Sequence, residues 1–250
     1  MTTSSSDATG EGRGRPVAGR GPFVVLASRS PQRELILRQL GLPFRVSPSR
    51  HDESHVHGDP VTTVVDNAVG KAREVAAREA GGPTTDDAVV GRPQVGERGR
   101  PSGAAVPDAL VLGVDTVVVL DGHILGKAAT ADDAASYVGR LAGRTHDVYS
   151  GLCLIGPGGR EWAGHARTAV TFRALAPETV ASYVATGEWR ERAGAYAIQG
   201  IGSALVAAVE GDYWNVVGLP VAVLLDGLGA FGVAPFSWLA PHAGGSAAHR

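Results

Sequence analysis

Hydrophobic positions along this chain fall into short continuous runs that alternate with segments of helical spacing. The first run, residues 23–27, is typical of a strand and leads through Ser30 and Pro31, a common pair at a helix start. The next segment, 32–40, has helical spacing and is closed by Gly41. The pattern therefore predicts a strand, a loop and a helix at the start of the fold.

A second strand and a long helix follow. Phe44–Val46 is a short apolar stretch, and Asp59 with Pro60 starts a helix that ends near Gly81. The apolar residues of this helix recur at the spacing of one buried face: Val61, Val64, Val65, Ala68, Ala72 and Val75. From 81 to 108 the sequence is rich in Gly, Pro, Arg and Thr without periodicity, which predicts a flexible insertion outside the core.

The pattern next predicts a hairpin built on a long buried strand. Ala109–Leu120 is almost entirely apolar, and Asp121 with Gly122 is a strong turn signal before the short strand His123–Leu125. A helix over Ala131–Leu141 follows, capped by the threonine before it.

The second half of the chain mixes strands and helices. Two strands, Thr145–Ile155 and Glu161–Phe172, flank a Gly-Pro-Gly-Gly turn. Helices are predicted over 177–186 and 219–228, with a strand-like stretch at 203–209. Because strands and helices alternate irregularly, we predict an α/β fold with a mixed sheet.

Composition bounds the size of this fold. The chain has 250 residues, 44% of them hydrophobic, and we expect a single domain over 23–239. Residues 1–22 are rich in Ser, Thr, Gly and Arg and lack an apolar core segment, so they resemble a disordered tail more than a signal peptide. A second tail is expected at 240–250.

Charge and cysteine content narrow the function classes. The formal net charge of −2 argues against a whole-molecule nucleic-acid binder, so no nucleic-acid partner is expected. The single Cys153 cannot form an intramolecular disulfide, which favours a reducing compartment, the cytoplasm. The longest apolar run is interrupted by Asp115 and is shorter than the roughly 20 residues of a membrane helix, so no membrane span is expected.

The strongest chemical signal is Asp115, a carboxylate inside the apolar strand Ala109–Leu120. A buried charge needs a cation, hydrogen-bond donors or a water-filled cleft. One interpretation is a structural salt bridge or cap. The other is a metal ligand or general base at the mouth of a strand.

Cationic and hydroxyl side chains supply a second signal. Ser28 and Arg33 lie around the junction of the first strand and helix, where free amides, the helix dipole and a guanidinium suit a phosphate. An ordinary helix cap would give the same pattern. Lys71 and Lys127 could be solvated lysines, but the hairpin returns Lys127 towards the strand of Asp115, and a carboxylate beside an ammonium suits metal-assisted phosphoryl chemistry.

Two glycine-rich blocks, 193–202 and 210–220, complete the candidate chemistry. Glycines permit close backbone approach, and the amide of Gln199 can donate to and accept from a base edge at once. Tight structural loops are the alternative interpretation of both blocks.

Four separated blocks resemble the Maf family of nucleotide pyrophosphatases and occur in the family's order. They are LAS to REL at 26–35, GVDT at 113–116, LGK at 125–127 with LAGRTH at 141–146, and GAY to VGLP at 194–220. The resemblance covers 23–80 and 109–229. It implies a Maf and inosine-triphosphatase type of mixed sheet with flanking helices, two lobes around a deep cleft, a Mg²⁺ or Mn²⁺ requirement and a possible homodimer.

The resemblance also implies roles for particular residues. Asp115 matches the family's general base, Lys71 and Lys127 match its phosphate-side lysines, and Arg33 would hold phosphate. Glu53 matches an acidic position near the metal, so the implied metal ligands are Glu53 and Asp115.

Three positions are linked to base selection in the branch that resembles dTTP and UTP pyrophosphatases: Thr116, Gln199 and Gln32. The chain departs from that branch, because Gln32 replaces an Arg, Ala197 replaces a common Gly and Ala128 replaces a Pro. The first departure bears on nucleotide preference.

The resemblance therefore implies hydrolysis of a nucleoside triphosphate substrate, dTTP or UTP, to the monophosphate and pyrophosphate. One alternative is a pyrophosphatase for modified or purine nucleotides such as 7-methyl-GTP. Another is a nucleotide-binding regulator of cell division without catalysis, although simple binding does not need a base such as Asp115.

Overall fold

A computed structural model describes residues 22–53, 58–80 and 109–239. The insertion predicted at 81–108 and the tail predicted at 240–250 lie outside these ranges, as do residues 1–21 of the predicted N-terminal tail. Among the helices of the described ranges, none combines the length and the apolar character that a membrane crossing requires.

The described strands form one mixed sheet of seven strands. They are β1 (Phe23–Leu26), β2 (Phe44–Val46), β3 (Ala109–Leu120), β4 (His123–Leu125), β5 (Thr145–Ile155), β6 (Glu161–Phe172) and β7 (Val206–Glu210). The order across the sheet is β2-β1-β3-β5-β6-β7, with β4 paired to β3. β1 runs parallel to β2 and β3, and the remaining pairs are antiparallel. The predicted mixed α/β sheet is confirmed.

Helices flank this sheet. They are α1 (Pro31–Gln39), α2 (Pro60–Ala80), α3 (Ala131–Leu141), α4 (Pro177–Ala185), α5 (Tyr213–Val217) and α6 (Val221–Ala230). Thr130 caps α3 with a full capping box that includes Asp133. The other predicted helix ends agree to within two residues, as expected for ends that fray.

One prediction was wrong in detail, and one helix was missed. The stretch 203–209 is not all strand, because residues Gly200–Leu205 form a 3₁₀ segment and β7 begins only at Val206. Helix α5 was not predicted. It has five residues between the Asp212 cap and Gly218, which is too short for apolar periodicity to show.

Helix α2 lies directly on one face of the sheet because two glycines leave room for its backbone. An ideal Cβ on Gly113 of β3 would lie 2.1 Å from the carbonyl oxygen of Ala68. One on Gly151 of β5 would lie 2.2 Å from the carbonyl oxygen of Val64. The close approach brings α2 against the middle of β3, where Asp115 lies.

The larger core lies on the opposite face. It packs β-strand residues such as Leu112, Leu152 and Leu154 against Leu224 and Leu228 of α6, all fully buried. Burial of this kind supplies most of the free energy of folding. The centre of the fold therefore has three layers: α2, the sheet and α6. Helix α2 lies on the face of the sheet that also carries Asp115.

Candidate active site

A cleft of about 840 Å³ opens beside the middle of the sheet. Its walls come from segments distributed over nearly the whole described chain. All the site residues predicted from the sequence line it: Ser28, Gln32, Arg33, Glu53, Lys71, Asp115, Thr116, Lys127 and Gln199.

Asp115 is buried at the base of this cleft, and both of its carboxylate oxygens are engaged. Lys71 Nζ donates to Oδ1 at 2.7 Å, and Asn67 Nδ2 donates to Oδ2 at 2.9 Å. Asn67 and Lys71 are one helical turn apart on α2, so they face β3 together. Asn67 was not predicted as a site residue, although its position four residues before Lys71 was the available signal.

The pKa of Asp115 reflects two opposed effects. Burial raises it, whereas the charge of Lys71 and the hydrogen bonds from Lys71 and Asn67 lower it. The net result is a pKa below the ordinary value of an aspartate. Asp115 is therefore ionised at neutral pH.

Glu53 brings a second carboxylate to the same lysine. Its Oε1 lies 2.7 Å from Lys71 Nζ, so the ammonium contacts both Glu53 and Asp115. Glu53 is partly exposed, with 37% of its side-chain surface accessible, against 8% for Asp115. In the described part of the chain, no cluster of three or more His, Cys, Asp and Glu residues is arranged to hold a metal ion.

Arg33 joins three parts of the cleft wall. Its Nε donates to the carbonyl oxygen of Gly218 at 2.9 Å, Nη1 to Ser28 Oγ at 2.8 Å and Nη2 to Thr116 Oγ1 at 3.3 Å. These three partners are uncharged, so they orient the guanidinium without neutralising it. A buried cation in this state attracts an anionic ligand.

Burial also lowers the pKa of Arg33, while the nearby charges of Asp115 and Glu53 oppose that effect. An arginine keeps its proton in proteins even so. The cationic Arg33 thus lies in the electrostatic field of the acidic pair Glu53 and Asp115.

Lys127 lines the same cleft through a different set of contacts. The β3–β4 hairpin turns through Asp121 and Gly122, both with positive φ, and Lys127 then forms an isolated bridge with Ala193. Its Nζ pairs with Glu191 Oε2 at 3.2 Å, and both side chains are exposed. The described contacts of Lys127 therefore include an ion pair with Glu191 but none with Asp115.

Gln199 immediately precedes the 3₁₀ segment, and Glu188 fixes the backbone at the start of that segment. The carboxylate of Glu188 accepts from the backbone N–H groups of Ile201, at 3.0 Å, and Gly202, at 2.7 Å. Gly200 has a φ of 67°, and a Cβ there would lie 2.2 Å from Glu188 Oε1. A glycine is favoured at this turn, and Glu188 fixes the backbone of the residues that follow Gln199.

Gln32, which was predicted to take part in base selection, also lines the cleft. Its Oε1 accepts a hydrogen bond from Ser30 Oγ at 3.1 Å.

Several other residues of the cleft received no role from the sequence. They are charged or polar and lie beside the recognised motifs: Arg29, Ser49, His51, Glu188, Glu191 and Arg192. Their position next to motif residues was the only signal, because each is also a common surface residue.

A buried aromatic cluster packs against the cleft wall at Tyr196. His146 Nε2 and Tyr196 Oη lie 2.8 Å apart, and both rings pack edge to face with each other and with Phe172. Burial lowers the pKa of His146 to about 4, against a smaller raising effect of Asp147. His146 is therefore neutral at pH 7, and Tyr196, which also lines the cleft, is held by it.

Comparison with solved structures finds the nucleoside-triphosphatase, or dITP/XTP pyrophosphatase, of Mycobacterium abscessus. It is 16% identical and aligns with 60% of this chain and 74% of its own, at a TM-score of 0.37.

Sequence comparison gives closer relatives. A protein of Moorella thermoacetica named dTTP/UTP pyrophosphatase is 46% identical over 212 residues, which are 84% of this chain and 95% of that protein. Proteins of the same name from Symbiobacterium thermophilum and Deinococcus radiodurans are each 40% identical over 215 residues, 86% of this chain and 96% of each relative. The family model described as Maf-like protein matches residues 23–231. The chain belongs to the Maf-like protein family.

Proposed function

We propose that this protein is a nucleoside triphosphate pyrophosphatase that hydrolyses dTTP or UTP to the monophosphate and pyrophosphate. The observation that carries the proposal is the buried, ionised Asp115, held by Lys71 at 2.7 Å in a cleft that also contains Arg33 and Lys127. The relatives named dTTP/UTP pyrophosphatase, at 40% to 46% identity over nearly their whole length, support it.

In the proposed reaction a water molecule attacks the α-phosphorus. The new bond joins the water oxygen to that phosphorus, and the bond to the oxygen that bridges the α- and β-phosphates breaks. Asp115 accepts the water proton, and pyrophosphate leaves with the bonding electrons. The hydrogen bonds from Lys71 and Asn67 hold the carboxylate in one orientation for this step.

Glu53 and Asp115 are the residues that would hold a divalent cation, Mg²⁺ or Mn²⁺. The donor set fits, because two carboxylates already converge on one positive charge at 2.7 Å. Mg²⁺ is commonly bound by one or two carboxylates together with substrate phosphates and water. When bound, the ion would neutralise charge on the triphosphate oxygens.

The cationic side chains would hold the triphosphate and stabilise its developing charge. Arg33 is oriented by Ser28 and Thr116, and Lys127 and Lys71 line the same cleft. Positioning and electrostatics supply most of the rate enhancement in phosphoryl transfer. The ion pair of Lys127 with Glu191 is exposed, so a phosphate can replace it at little cost.

Base selection would involve Gln199, Thr116 and Gln32. An amide that donates and accepts at once matches the edge of uracil or thymine. Gln32, however, stands where the similar branch has Arg. This departure is the observation that favours the second candidate, a pyrophosphatase for a modified or purine nucleotide such as 7-methyl-GTP.

Pyrophosphate release from purified protein tests the proposal. The panel is dTTP, UTP, CTP, GTP, ATP and 7-methyl-GTP, each with Mg²⁺, with Mn²⁺ and with EDTA. We expect metal-dependent release that is fastest with dTTP and UTP. Faster release from 7-methyl-GTP would favour the second candidate, and no release from any triphosphate would overturn the enzymatic function in favour of nucleotide binding alone.

We also propose that the protein acts in the cytoplasm and forms a homodimer. The cysteine content supports the first part, since the single Cys153 cannot form an intramolecular disulfide. Cell fractionation tests the location. Light scattering on the purified protein tests the dimer.

A further inference from the structure

The segment that delivers Glu53 runs along one stripe of helix α2. Residues at positions 67, 71, 74 and 78 recur at helical spacing and therefore share a face. Asn67 contacts Asp115, and Lys71 contacts both Asp115 and the segment 47–53. The residues at 74 and 78 contact that segment as well. Those contacts are Arg78 to Ser47 Oγ at 2.7 Å, Glu74 to the N–H of Arg50 at 3.0 Å and Lys71 to Glu53 at 2.7 Å.

The ring of His51 lies against the backbone of α2 at Gly70. An ideal Cβ on Gly70 would lie 2.3 Å from both Cε1 and Nε2 of His51 and 2.8 Å from Cδ2. The imidazole therefore lies on helix backbone that only a glycine leaves uncovered. Gly70 immediately precedes Lys71, and His51 lies two residues before Glu53.

We propose that His51 is a positioning residue. Its ring, seated on Gly70, sets the distance between the 47–53 segment and α2 and so determines where the Glu53 carboxylate meets Lys71 and Asp115. Glycine is otherwise unfavourable in a helix interior, which is consistent with a packing role for Gly70. The inference rests on the proposed function, in which Glu53 and Asp115 hold the divalent cation.

The physical argument concerns how Glu53 is fixed. Its side chain is more exposed than that of Asp115, and it shares the ammonium of Lys71 with Asp115. Fixing the backbone two residues earlier limits the positions that the carboxylate can reach. Groups that orient metal ligands commonly change metal affinity by about 10- to 100-fold when they are altered.

The first experiment replaces Gly70 with alanine, which puts a methyl group where the ring lies. Mn²⁺ binding is measured by electron paramagnetic resonance of free Mn²⁺, in the presence of α,β-methylene-UTP, which the enzyme cannot cleave. We expect Gly70→Ala to weaken Mn²⁺ binding about tenfold. The matched control is Gly139→Ala in α3, where an added Cβ meets no described atom within 4 Å and Mn²⁺ binding should be unchanged.

Two further variants separate positioning from simple destabilisation. His51→Ala removes the ring and is expected to weaken Mn²⁺ binding by a similar factor with little change in Tm. Gly70→Ala alone should lower Tm, because the new methyl group collides with the His51 ring. The double variant Gly70→Ala, His51→Ala has no such collision, so its Tm should return towards the wild-type value while Mn²⁺ binding stays weak. Because His51→Ala needs no extra space in the fold, it tests the inference even where Gly70→Ala fails to fold.

Glu53→Gln serves as the reference. If it weakens Mn²⁺ binding while His51→Ala and Gly70→Ala leave binding at the wild-type level, His51 is not a positioning residue and the proposed function stands. If Glu53→Gln itself has no effect, both the assignment of Glu53 and this inference are overturned. If the wild-type protein releases no pyrophosphate from any nucleotide, the proposed function is overturned instead.

Discussion

At the scale of single residues, the buried Asp115 is explained by its contacts. A carboxylate inside an apolar strand is costly unless its oxygens are paired. Lys71 and Asn67 each engage one oxygen, and these contacts hold the pKa of Asp115 below its ordinary value. A low pKa keeps Asp115 ionised at neutral pH, which both a metal ligand and a general base require before the reaction begins.

Replacing Asp115 with asparagine should preserve the fold and abolish most turnover. The amide keeps the shape of the side chain but removes the charge, so we expect pyrophosphate release to fall about 10²- to 10⁴-fold. Initial rates with dTTP measure the effect, and thermal unfolding checks the fold. Asp132→Asn, at an exposed position in α3, is the matched control and should retain wild-type rates.

Mn²⁺ binding by the same variant separates the two roles of Asp115. Unchanged binding with lost turnover indicates a general base, and loss of both indicates a ligand. Turnover at the wild-type rate in a folded Asp115→Asn protein would contradict both roles.

His146 gives a second prediction at this scale, for stability against pH. Burial lowers its pKa from 6.5 to about 4 in the folded protein. As the pH falls, the His146 imidazole takes up a proton in the unfolded chain before it does so in the folded protein. The free energy of unfolding is therefore unaffected by this group above about pH 6.5 and decreases as the pH falls towards 4. The loss in the free energy of unfolding amounts to about 3 kcal/mol.

Urea unfolding between pH 7 and pH 4 measures this contribution. We expect His146→Gln to be less stable at pH 7, because the contact with Tyr196 is altered, but to lose less stability on acidification than the wild type. His165→Gln, at an exposed position of β6, should keep the wild-type pH dependence. Identical pH profiles for wild type and His146→Gln would show that His146 does not cause the acid sensitivity.

At the scale of secondary-structure elements, the site depends on how closely α2 approaches the sheet. Gly113 and Gly151 lie under Ala68 and Val64 of the helix, where any Cβ would collide with backbone atoms. Backbone cannot move aside as a flexible side chain can. The spacing between α2 and β3 then sets the distance from Lys71 to Asp115.

Replacing Gly151 with alanine should therefore damage both stability and the site. Overpacking of this kind costs about 1–3 kcal/mol, and displacement of α2 should lengthen the contact between Lys71 and Asp115 and lower turnover. Denaturant unfolding and dTTP hydrolysis are the measurements. Gly229→Ala in α6, where an added Cβ has no described neighbour within 4 Å, should change neither.

At the scale of the whole molecule, residues far apart in sequence close the fold. Trp238 near the end of the described chain is 8% exposed, and its Nε1 donates to the carbonyl oxygen of Leu40 at 2.8 Å. Leu40 follows α1, whose residue Arg33 holds the cleft wall. The C-terminal segment thus supports the helix that carries part of the site.

Trp238→Ala should lower the free energy of unfolding by about 3 kcal/mol, because it removes a large buried side chain. Phe236→Ala is the control: that ring is 61% exposed, and its loss should cost about 0.5 kcal/mol. Urea titration of the two variants provides the comparison. Equal effects of the two substitutions would contradict a supporting role for Trp238.

The sequence by itself determined the elements whose signals are local. The β3–β4 hairpin was predicted to the residue because Asp121 and Gly122 adopt the positive φ that a tight turn requires. The helix after Thr130 was predicted equally well because its capping box is contained in four consecutive residues. The family motifs likewise named nine residues that all line one cleft.

Only the tertiary structure decided which of these residues meet. Asn67 and Asp115 are 48 positions apart in the chain, and the glycines under α2 bring them together. The pairing of Lys127 with Glu191 and the packing of His51 on Gly70 depend in the same way on how separate elements approach each other. Periodicity and capping report the conformation of one segment, whereas the distance between two segments follows from the packing of the whole core.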